Sequence, residues 1–116
     1  NGNNRGQASV VKSDQIITFG NDVQVLTLEA GTTSGTFAFN TGSGYLYAAS
    51  SSKNYLRTET TLSANSSWTV AIAEDGTATI LAQGTNTRNM MQYNNSSSIF
   101  SSYSSAQKAI ALYKLQ

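Results

Sequence analysis

The 116-residue sequence contains no cysteine, no histidine and no proline. Without cysteine the chain can form no disulfide framework and can perform no thiol chemistry. Without cysteine or histidine, only carboxylates remain as strong metal ligands, which argues against a transition-metal site. No apolar run approaches the roughly 18 residues that a membrane-spanning helix needs. We therefore expect neither a cofactor nor a metal centre nor a membrane span.

Charged side chains are also scarce. Lys and Arg number 7 and Asp and Glu number 6, which makes 11% of the chain charged and the formal net charge +1. Average domains carry about a quarter of their residues as charges, and a neutral polar surface is common in secreted proteins. Affinity for nucleic acid grows with the number of phosphates neutralised, so this charge makes nucleic acid an unlikely partner. The composition favours an extracellular protein.

Hydrophobic residues make up 39% of the chain, and they alternate with polar ones at a period of two almost throughout. This period predicts β-strands, and no helix of three turns is visible. Residues 1–8 are expected to be a flexible leader, and residues 9–116 a single all-β domain. The predicted strands are Ser9–Lys12, Gln15–Phe19, Val23–Glu29, Thr36–Asn40, Tyr45–Ala49, Asn54–Thr60, Met90–Tyr93, Ile99–Tyr103 and the hairpin Trp68–Ala82.

The hairpin Trp68–Ala82 carries the clearest local signal. Its centre, Asp75-Gly76, has the residue types that a two-residue type I′ turn requires. The chain end, AQKAIALYKL, has the pattern of an amphipathic helix as well. Its counterpart in the repeat described next is the strand WTVAIA, so we predict a final strand over Lys108–Leu115, with Ile110 and Leu112 on one face.

Part of the chain repeats. When Gly44–Thr60 is laid over Arg88–Ser104 without gaps, Leu46 falls on Met90 and Leu56 on Phe100. Such self-similarity indicates one supersecondary unit used more than once. We divide the chain into a degenerate repeat (9–43) and two clearer ones (44–87 and 88–116). Ten to twelve short antiparallel strands in such repeats predict a closed barrel of β-trefoil type, with a two-sheet β-sandwich as the alternative.

Several segments together carry a resemblance: YLYAASSSKNYLRTET, SSWTVAI, DGTATILAQGTNTRNMMQYN and IFSSYSSAQKAIALYKL. Over about residues 23–116 the chain resembles the β-rich, often C-terminal accessory modules of secreted multidomain proteins from gut Bacteroidetes. Some of those modules are attached to nucleases or hydrolases. The resemblance implies a bacterial protein that is secreted, periplasmic or on the cell surface, and it supplies no catalytic residues.

The tyrosines are the candidate binding residues. If Leu46 points inward, Tyr45 and Tyr47 point outward, and Tyr55 and Arg57 on the next strand face the same way. Outward Tyr and Arg side chains supply flat apolar area together with hydrogen-bonding groups, which suits a polyol or a peptide. The plainer reading is that these tyrosines only pack across strands. In the later repeat, the corresponding residues are Tyr93, Asn94 and Tyr103.

Nothing in the sequence predicts an enzyme. The one adjacent carboxylate pair, Glu74-Asp75, enters a hairpin turn, where the two side chains would point into water and not face each other across a cleft. Ser50-x-x-Lys53 has the spacing of a Ser-Lys nucleophile motif, but its context is a strand and a loop and not the helix that the motif needs. Trp68 shares a face with apolar residues, so we expect it in the core and not as a platform for a sugar.

The function predicted from the sequence is a non-catalytic extracellular binding module, with glycan as the leading ligand class. The alternative is a structural or adhesion module that docks against other domains of a larger secreted protein. A nucleic-acid-binding appendage of a nuclease is a third, weaker reading.

Overall fold

The computed structural model describes residues 2–115 and is all-β. Within that range the chain forms eleven short strands and one 3₁₀ turn, Ala64–Ser66. The strands are β1 Arg5–Gly6, β2 Val11–Ser13, β3 Ile16–Thr18, β4 Thr27–Ala30, β5 Phe37–Asn40, β6 Tyr45–Ala48, β7 Leu56–Glu59, β8 Trp68–Ile72, β9 Ala78–Ala82, β10 Met90–Asn94 and β11 Ile99–Tyr103. In residues 2–115, no helix has the length and apolar character needed to cross a membrane.

Eight of the strands form a nearly closed antiparallel barrel. They pair in the order β1-β11-β10-β9-β8-β5-β6-β7, and β4 pairs with β5 beside this path. The ends of the order meet, because the Leu56 amide of β7 donates to the Asn3 carbonyl at 2.8 Å, next to β1. Strands β2 and β3 form a small second sheet. This architecture confirms the predicted all-β, barrel-like fold, whereas its threefold repetition stays a prediction.

Trp68 lies at the centre of the core. Its side chain is fully buried, and its indole N–H donates to the Leu46 carbonyl at 3.0 Å. The ring of Phe39 meets it edge-on, with 6.4 Å between the ring centroids. The core comprises Phe39, Leu46, Ala48, Leu56, Trp68, Ala78, Ile80, Ala82 and Met91. Its members recur at alternate positions of β6 and β9, as a strand with one buried face requires. The expectation that Trp68 belongs to the core is confirmed.

The turn of the β8–β9 hairpin differs from the prediction. Only Gly76 has a positive φ, of +89°, whereas a type I′ turn needs positive φ at both central residues. The Gly76 amide donates to the Ala73 carbonyl at 3.0 Å, and the Ala73 amide donates to the Thr77 carbonyl at 2.8 Å. The loop therefore has three residues, Glu74–Gly76, and combines a type I turn with a glycine bulge. The predicted two-residue type I′ turn was wrong.

The amino-terminal segment belongs to the barrel, although residues 1–8 were predicted to be a flexible leader. Arg5 pairs with Phe100 and Gly6 with Ile99, so β1 covers the edge of β11. The carbonyl of Asn3 accepts from β7 on the other side. Unpaired N–H and C=O groups at a sheet edge need partners, and this polar segment supplies them through its backbone. Backbone pairing leaves no hydrophobic pattern in the sequence, so the sequence did not predict β1.

The carboxyl-terminal segment also differs from its prediction. Over Lys108–Leu115 the structure has two isolated antiparallel bridges and no regular strand. Lys108 and Tyr93 of β10 exchange two backbone hydrogen bonds of 2.9 Å, and the Ile110 carbonyl accepts from Ala78 of β9 at 2.7 Å. Strands β9 and β10 pair at one position only. The carboxyl-terminal segment lies between these two strands and forms one bridge with each of them. Ile110 packs against the core, whereas Leu112 is 42% exposed.

The element that follows β3 also differs from its prediction. The strand expected over Val23–Glu29 forms only as β4, Thr27–Ala30, which runs beside β5. The preceding residues from Val23 to Leu26 lie outside any strand.

Candidate functional site

The outer side of β6 and β7 carries the first group of candidate residues. Because Leu46, Ala48 and Leu56 point into the core, strand alternation places Tyr45, Tyr47 and Arg57 on the opposite side. Tyr47 pairs directly with Arg57 across the two strands, and Tyr55 lies two residues before Arg57. We call Tyr45, Tyr47, Tyr55 and Arg57 the tyrosine face. All four side chains are half-buried, and the structure brings them together as the sequence predicted.

Arg57 is held in place from two sides. Its guanidinium carbon lies 4.6 Å from the centroid of the Tyr55 ring, within the range of a cation–π interaction. Its Nε donates to the Asn3 side-chain oxygen at 2.9 Å. Asn3 therefore closes the barrel through its backbone carbonyl and orients the one cation of the tyrosine face through its side chain. In residues 2–115, Arg57 has no carboxylate partner.

Tyr45 is linked to Glu29 of β4. The Tyr45 hydroxyl donates to Glu29 Oε1 at 3.2 Å, and Asn40 Nδ2 donates to Glu29 Oε2 at 2.7 Å. The negative charge of Glu29, together with this hydrogen bond, raises the pKa of Tyr45 above its usual value of 10.0. The phenol thus stays protonated, and its hydrogen is already committed to a bond within the fold.

The second predicted group, Tyr93, Asn94 and Tyr103, does not form one exposed face. Tyr103 is only 3% exposed, and its buried hydroxyl has no hydrogen-bond partner in the described part of the chain. The side chain of Asn94 accepts from the amides of Ser96 and Ser97 at 3.0 and 3.1 Å, so it builds the β10–β11 turn. Only Tyr93 remains available to a ligand.

A one-residue difference in register places Tyr93 and Tyr103 on opposite faces of the hairpin. In the β6–β7 hairpin Leu56 lies opposite Ala48. In the later hairpin, Phe100 aligns with Leu56, and Gln92 aligns with Ala48. Phe100 nevertheless lies opposite Tyr93 and not opposite Gln92. A slip of one residue turns the side chains of a strand to the other face. Despite the sequence similarity, the later hairpin therefore has no equivalent of the tyrosine face.

Tyr93 instead lines an open cleft, which we call the aromatic cleft. It has a volume of about 400 Å³ and is lined by three aromatic residues, Tyr93, Phe100 and Tyr113. Gln7, Ala8 and the segment from Ala109 to Ala111 complete its walls. The rings of Tyr93 and Phe100 pack against each other with centroids 4.9 Å apart and planes tilted by 51°. The cleft therefore combines β10 and β11 with residues from both ends of the chain.

Sequence reasoning missed Phe100, Tyr113 and Gln7 as candidate site residues. Phe100 was aligned with the core residue Leu56, and Tyr113 was assigned to a closing strand. The three residues come together only because the amino-terminal segment pairs with β11 and the carboxyl-terminal segment bridges β10. The one signal in the sequence was an aromatic residue, Tyr113, in the segment IFSSYSSAQKAIALYKL that carries the resemblance.

A second, polar cleft of about 340 Å³ lies at the β10–β11 turn. It is lined by Asn95, Ser96, Ala106, Gln107 and Lys108. It lacks aromatic rings, so it offers hydrogen bonds without a surface for stacking.

The adjacent acidic residues Glu74 and Asp75 lie in a turn. Glu74 and Asp75 are exposed in the β8–β9 turn. The Thr77 hydroxyl and amide donate to Asp75 Oδ1 at 2.7 and 3.0 Å and lower the pKa of that carboxyl. Asp75 therefore stays ionised and acts as a turn residue. Residues 2–115 contain no group of three or more His, Cys, Asp or Glu residues that could hold a metal ion.

Comparison of the chain with protein-family models, with curated proteins and with solved structures finds no match. Any proposal of function therefore depends on the faces and clefts described above.

Proposed function

We propose that this protein is a non-catalytic module that binds glycans, and that the aromatic cleft is the binding site. The observation that carries the proposal is the gathering of Tyr93, Phe100 and Tyr113 around one open volume of about 400 Å³. Sites for small ligands usually occupy about 300–1,000 Å³ and are lined mainly by apolar and aromatic side chains with a few polar groups. The aromatic cleft has this composition.

The chemistry of the cleft suits a sugar ring. One face of a pyranose presents C–H groups that pack on an aromatic ring, and its edge presents hydroxyls that need donors and acceptors. Tyr93 and Tyr113 offer both a ring and a hydroxyl, and Gln7 offers an amide with two donors and an acceptor. Because the cleft is open, it would admit a unit within a longer chain.

The setting of the proposed function is extracellular. The small number of charges and the resemblance to secreted bacterial accessory modules support secretion or display at the cell surface. The net charge of +1 gives no support to nucleic acid as a partner.

Docking against another domain is the second candidate function, and exposed apolar side chains in the first third of the chain favour it. Val11 is 69% exposed, Ile16 is 63% exposed and Leu28 is 54% exposed. Val11 and Ile16 share one face of the β2–β3 sheet, and exposed apolar surface of this kind often marks a protein interaction site. In this case the first third of the chain, and not the aromatic cleft, would be the functional surface.

The test of the glycan proposal compares two substitutions near the carboxyl terminus. The protein is first screened on an array of neutral and acidic oligosaccharides, and the best neutral oligosaccharide is then titrated calorimetrically. Tyr113→Ala removes a ring that is 40% exposed, so the fold should survive and binding should weaken at least about tenfold, or about 1.4 kcal/mol. Leu115→Ala, at a residue that is 60% exposed and outside the cleft, is the matched control and should bind normally.

Two results would contradict the proposal. One is an array that binds no neutral oligosaccharide, and the other is a Tyr113→Ala variant with unchanged affinity. A silent array combined with capture of a neighbouring domain of the parent protein, lost in Val11→Ser/Ile16→Ser, would support docking instead.

A further inference from the structure

The cation of the tyrosine face is oriented but not neutralised. Arg57 uses one of its five N–H groups, on Nε, to bond Asn3, and its guanidinium lies against the Tyr55 ring. In the described part of the chain, neither of its Nη atoms has a hydrogen-bond partner. Since Arg57 is half-buried and held on two sides, little side-chain entropy remains to be lost when a ligand binds.

The carboxylates of Glu59 and Glu29 do not pair with Arg57, and each has other hydrogen-bond partners. Glu59, two residues along β7, accepts from the hydroxyls of Ser63 and Ser66. Glu29 accepts from the Tyr45 hydroxyl and the Asn40 side chain. The donors to both carboxylates are neutral groups. The positive charge of Arg57 is therefore not balanced by a direct ion pair with either carboxylate. A half-buried guanidinium without an acidic partner is a site for an anion supplied from outside.

We infer that the tyrosine face is a second binding site and that its ligand is the carboxylate of an acidic sugar, such as a uronic acid. The planar guanidinium fork matches a carboxylate with two parallel hydrogen bonds. Tyr47, directly opposite Arg57, offers a ring against which the sugar can pack. A single cation suits a single carboxylate better than a polyphosphate, which requires several positive charges. The sugar part of this inference rests on the proposed glycan-binding function, whereas the carboxylate part rests on Arg57 alone.

The test uses two probes that share the same sugar backbone and differ in whether the carboxyl groups are ionised or esterified: the trimer of galacturonic acid and its methyl ester. Each is titrated into the protein at low salt, and binding at Arg57 is followed by NMR from the Nε–Hε signal of Arg57 and the ring signals of Tyr55. We expect the acidic trimer to shift these signals and to bind at least about tenfold more tightly than the ester, a difference of about 1.4 kcal/mol.

Three variants separate recognition by Arg57 from a general effect of charge. Arg57→Gln should abolish the preference for the acidic trimer, and Arg57→Lys should retain only part of it because lysine lacks the fork. Arg88→Gln removes the same charge from an arginine that bonds Ser51 and Asn54, and it should retain the full preference. A preference that persists in Arg57→Gln, or that falls equally in Arg88→Gln, would overturn the inference.

The same titrations distinguish this inference from the proposal for the aromatic cleft. If Tyr113→Ala loses binding of the ester while the acidic trimer still shifts Arg57, both sites stand. If the acidic trimer shifts Arg57 and no neutral oligosaccharide binds anywhere, the Arg57 site stands and the aromatic cleft fails. If neither trimer shifts Arg57, the inference fails whatever happens at the cleft. Tighter binding of a peptide through its free terminal carboxylate than of the acidic trimer would refute the choice of a sugar.

Discussion

Trp68 shows how much a single residue contributes to this small core. Its side chain is fully buried, packs against Phe39 and donates to the Leu46 carbonyl. We expect Trp68→Ala to lower the free energy of unfolding by about 3–5 kcal/mol, the range found for removing a buried large aromatic ring. Trp68→Phe should cost less, because a ring remains beside Phe39. Urea unfolding followed by circular dichroism measures both changes.

The matched control for Trp68 lies on the same strand. Ile72→Ala removes an apolar side chain from the other end of β8, where it is 60% exposed, and should change the free energy of unfolding by less than about 1 kcal/mol. Equal losses for Trp68→Ala and Ile72→Ala would show that β8 is not packed in the way described.

Tyr45 provides a pH-dependent test. We expect Glu29→Gln to lower the pKa of Tyr45 toward 10.0, because the substitution removes the negative charge that raises it. When the pKa of a tyrosine is higher in the folded than in the unfolded protein, the resulting stabilisation is complete at pH values below the unfolded-state pKa. It is lost as the pH rises through the folded-state pKa. The stability of the wild-type protein should therefore fall above about pH 10, and Glu29→Gln should lack this part of the fall.

The measurement is an NMR titration of the tyrosine ring carbons, with chemical unfolding at each pH. Glu74→Gln serves as the control, because Glu74 lies in the exposed β8–β9 turn and does not contact Tyr45. A Tyr45 pKa that responds equally to Glu29→Gln and Glu74→Gln would contradict the assigned contact.

At the scale of elements, the carboxyl-terminal segment can be tested with two neighbouring side chains. The sequence pattern puts Ile110 and Leu112 on one face, but only Ile110 packs against the core. We expect Ile110→Ala to destabilise the fold by about 1–2 kcal/mol, roughly half the value for a fully buried isoleucine. Leu112→Ala, at a side chain that is 42% exposed, should stay within about 0.5 kcal/mol. Similar losses at both positions would indicate a regular strand and refute the bridged arrangement.

The β8–β9 hairpin shows where prediction of an element reaches its limit. Alternation from Trp68 to Ala82 correctly predicted two strands and their antiparallel pairing. The turn type depended on the φ angle of one residue, Asp75, whose side chain accepts from Thr77 and holds a type I geometry. Strand pairing reflects many residues, whereas turn geometry reflects one or two, so the turn was the less predictable part.

At the scale of the whole molecule, closure of the barrel depends on the amino-terminal segment. We expect deletion of residues 1–6 to destabilise the protein, because β11 loses the strand at its edge and the Leu56 amide loses the Asn3 carbonyl. Hydrogen exchange of the Leu56 amide should become markedly faster, since an amide without a partner is no longer protected.

Asn3→Ala is the control for this deletion. It keeps the backbone carbonyl that accepts from Leu56 and removes only the side chain that bonds Arg57. The Leu56 amide should therefore stay protected in Asn3→Ala. If the deletion leaves exchange at Leu56 unchanged, the amino-terminal segment does not close the barrel.

The sequence by itself determined the class of fold, the buried face of β6 through Leu46 and Ala48, the core position of Trp68, and the outward direction of Tyr45 and Tyr47. These features follow from the alternation of side chains within a strand, which is a local property and can be read from neighbouring residues.

Only the tertiary structure decided how the strands meet. The one-residue difference in register placed Tyr93 and Tyr103 on opposite faces, the backbone of the first residues closed the barrel, and the carboxyl-terminal segment came to lie between β9 and β10. The aromatic cleft and the orientation of Arg57 depend on these long-range pairings. These pairings are made by backbone N–H and C=O groups, which nearly every residue carries. No pattern of side chains therefore predicts them.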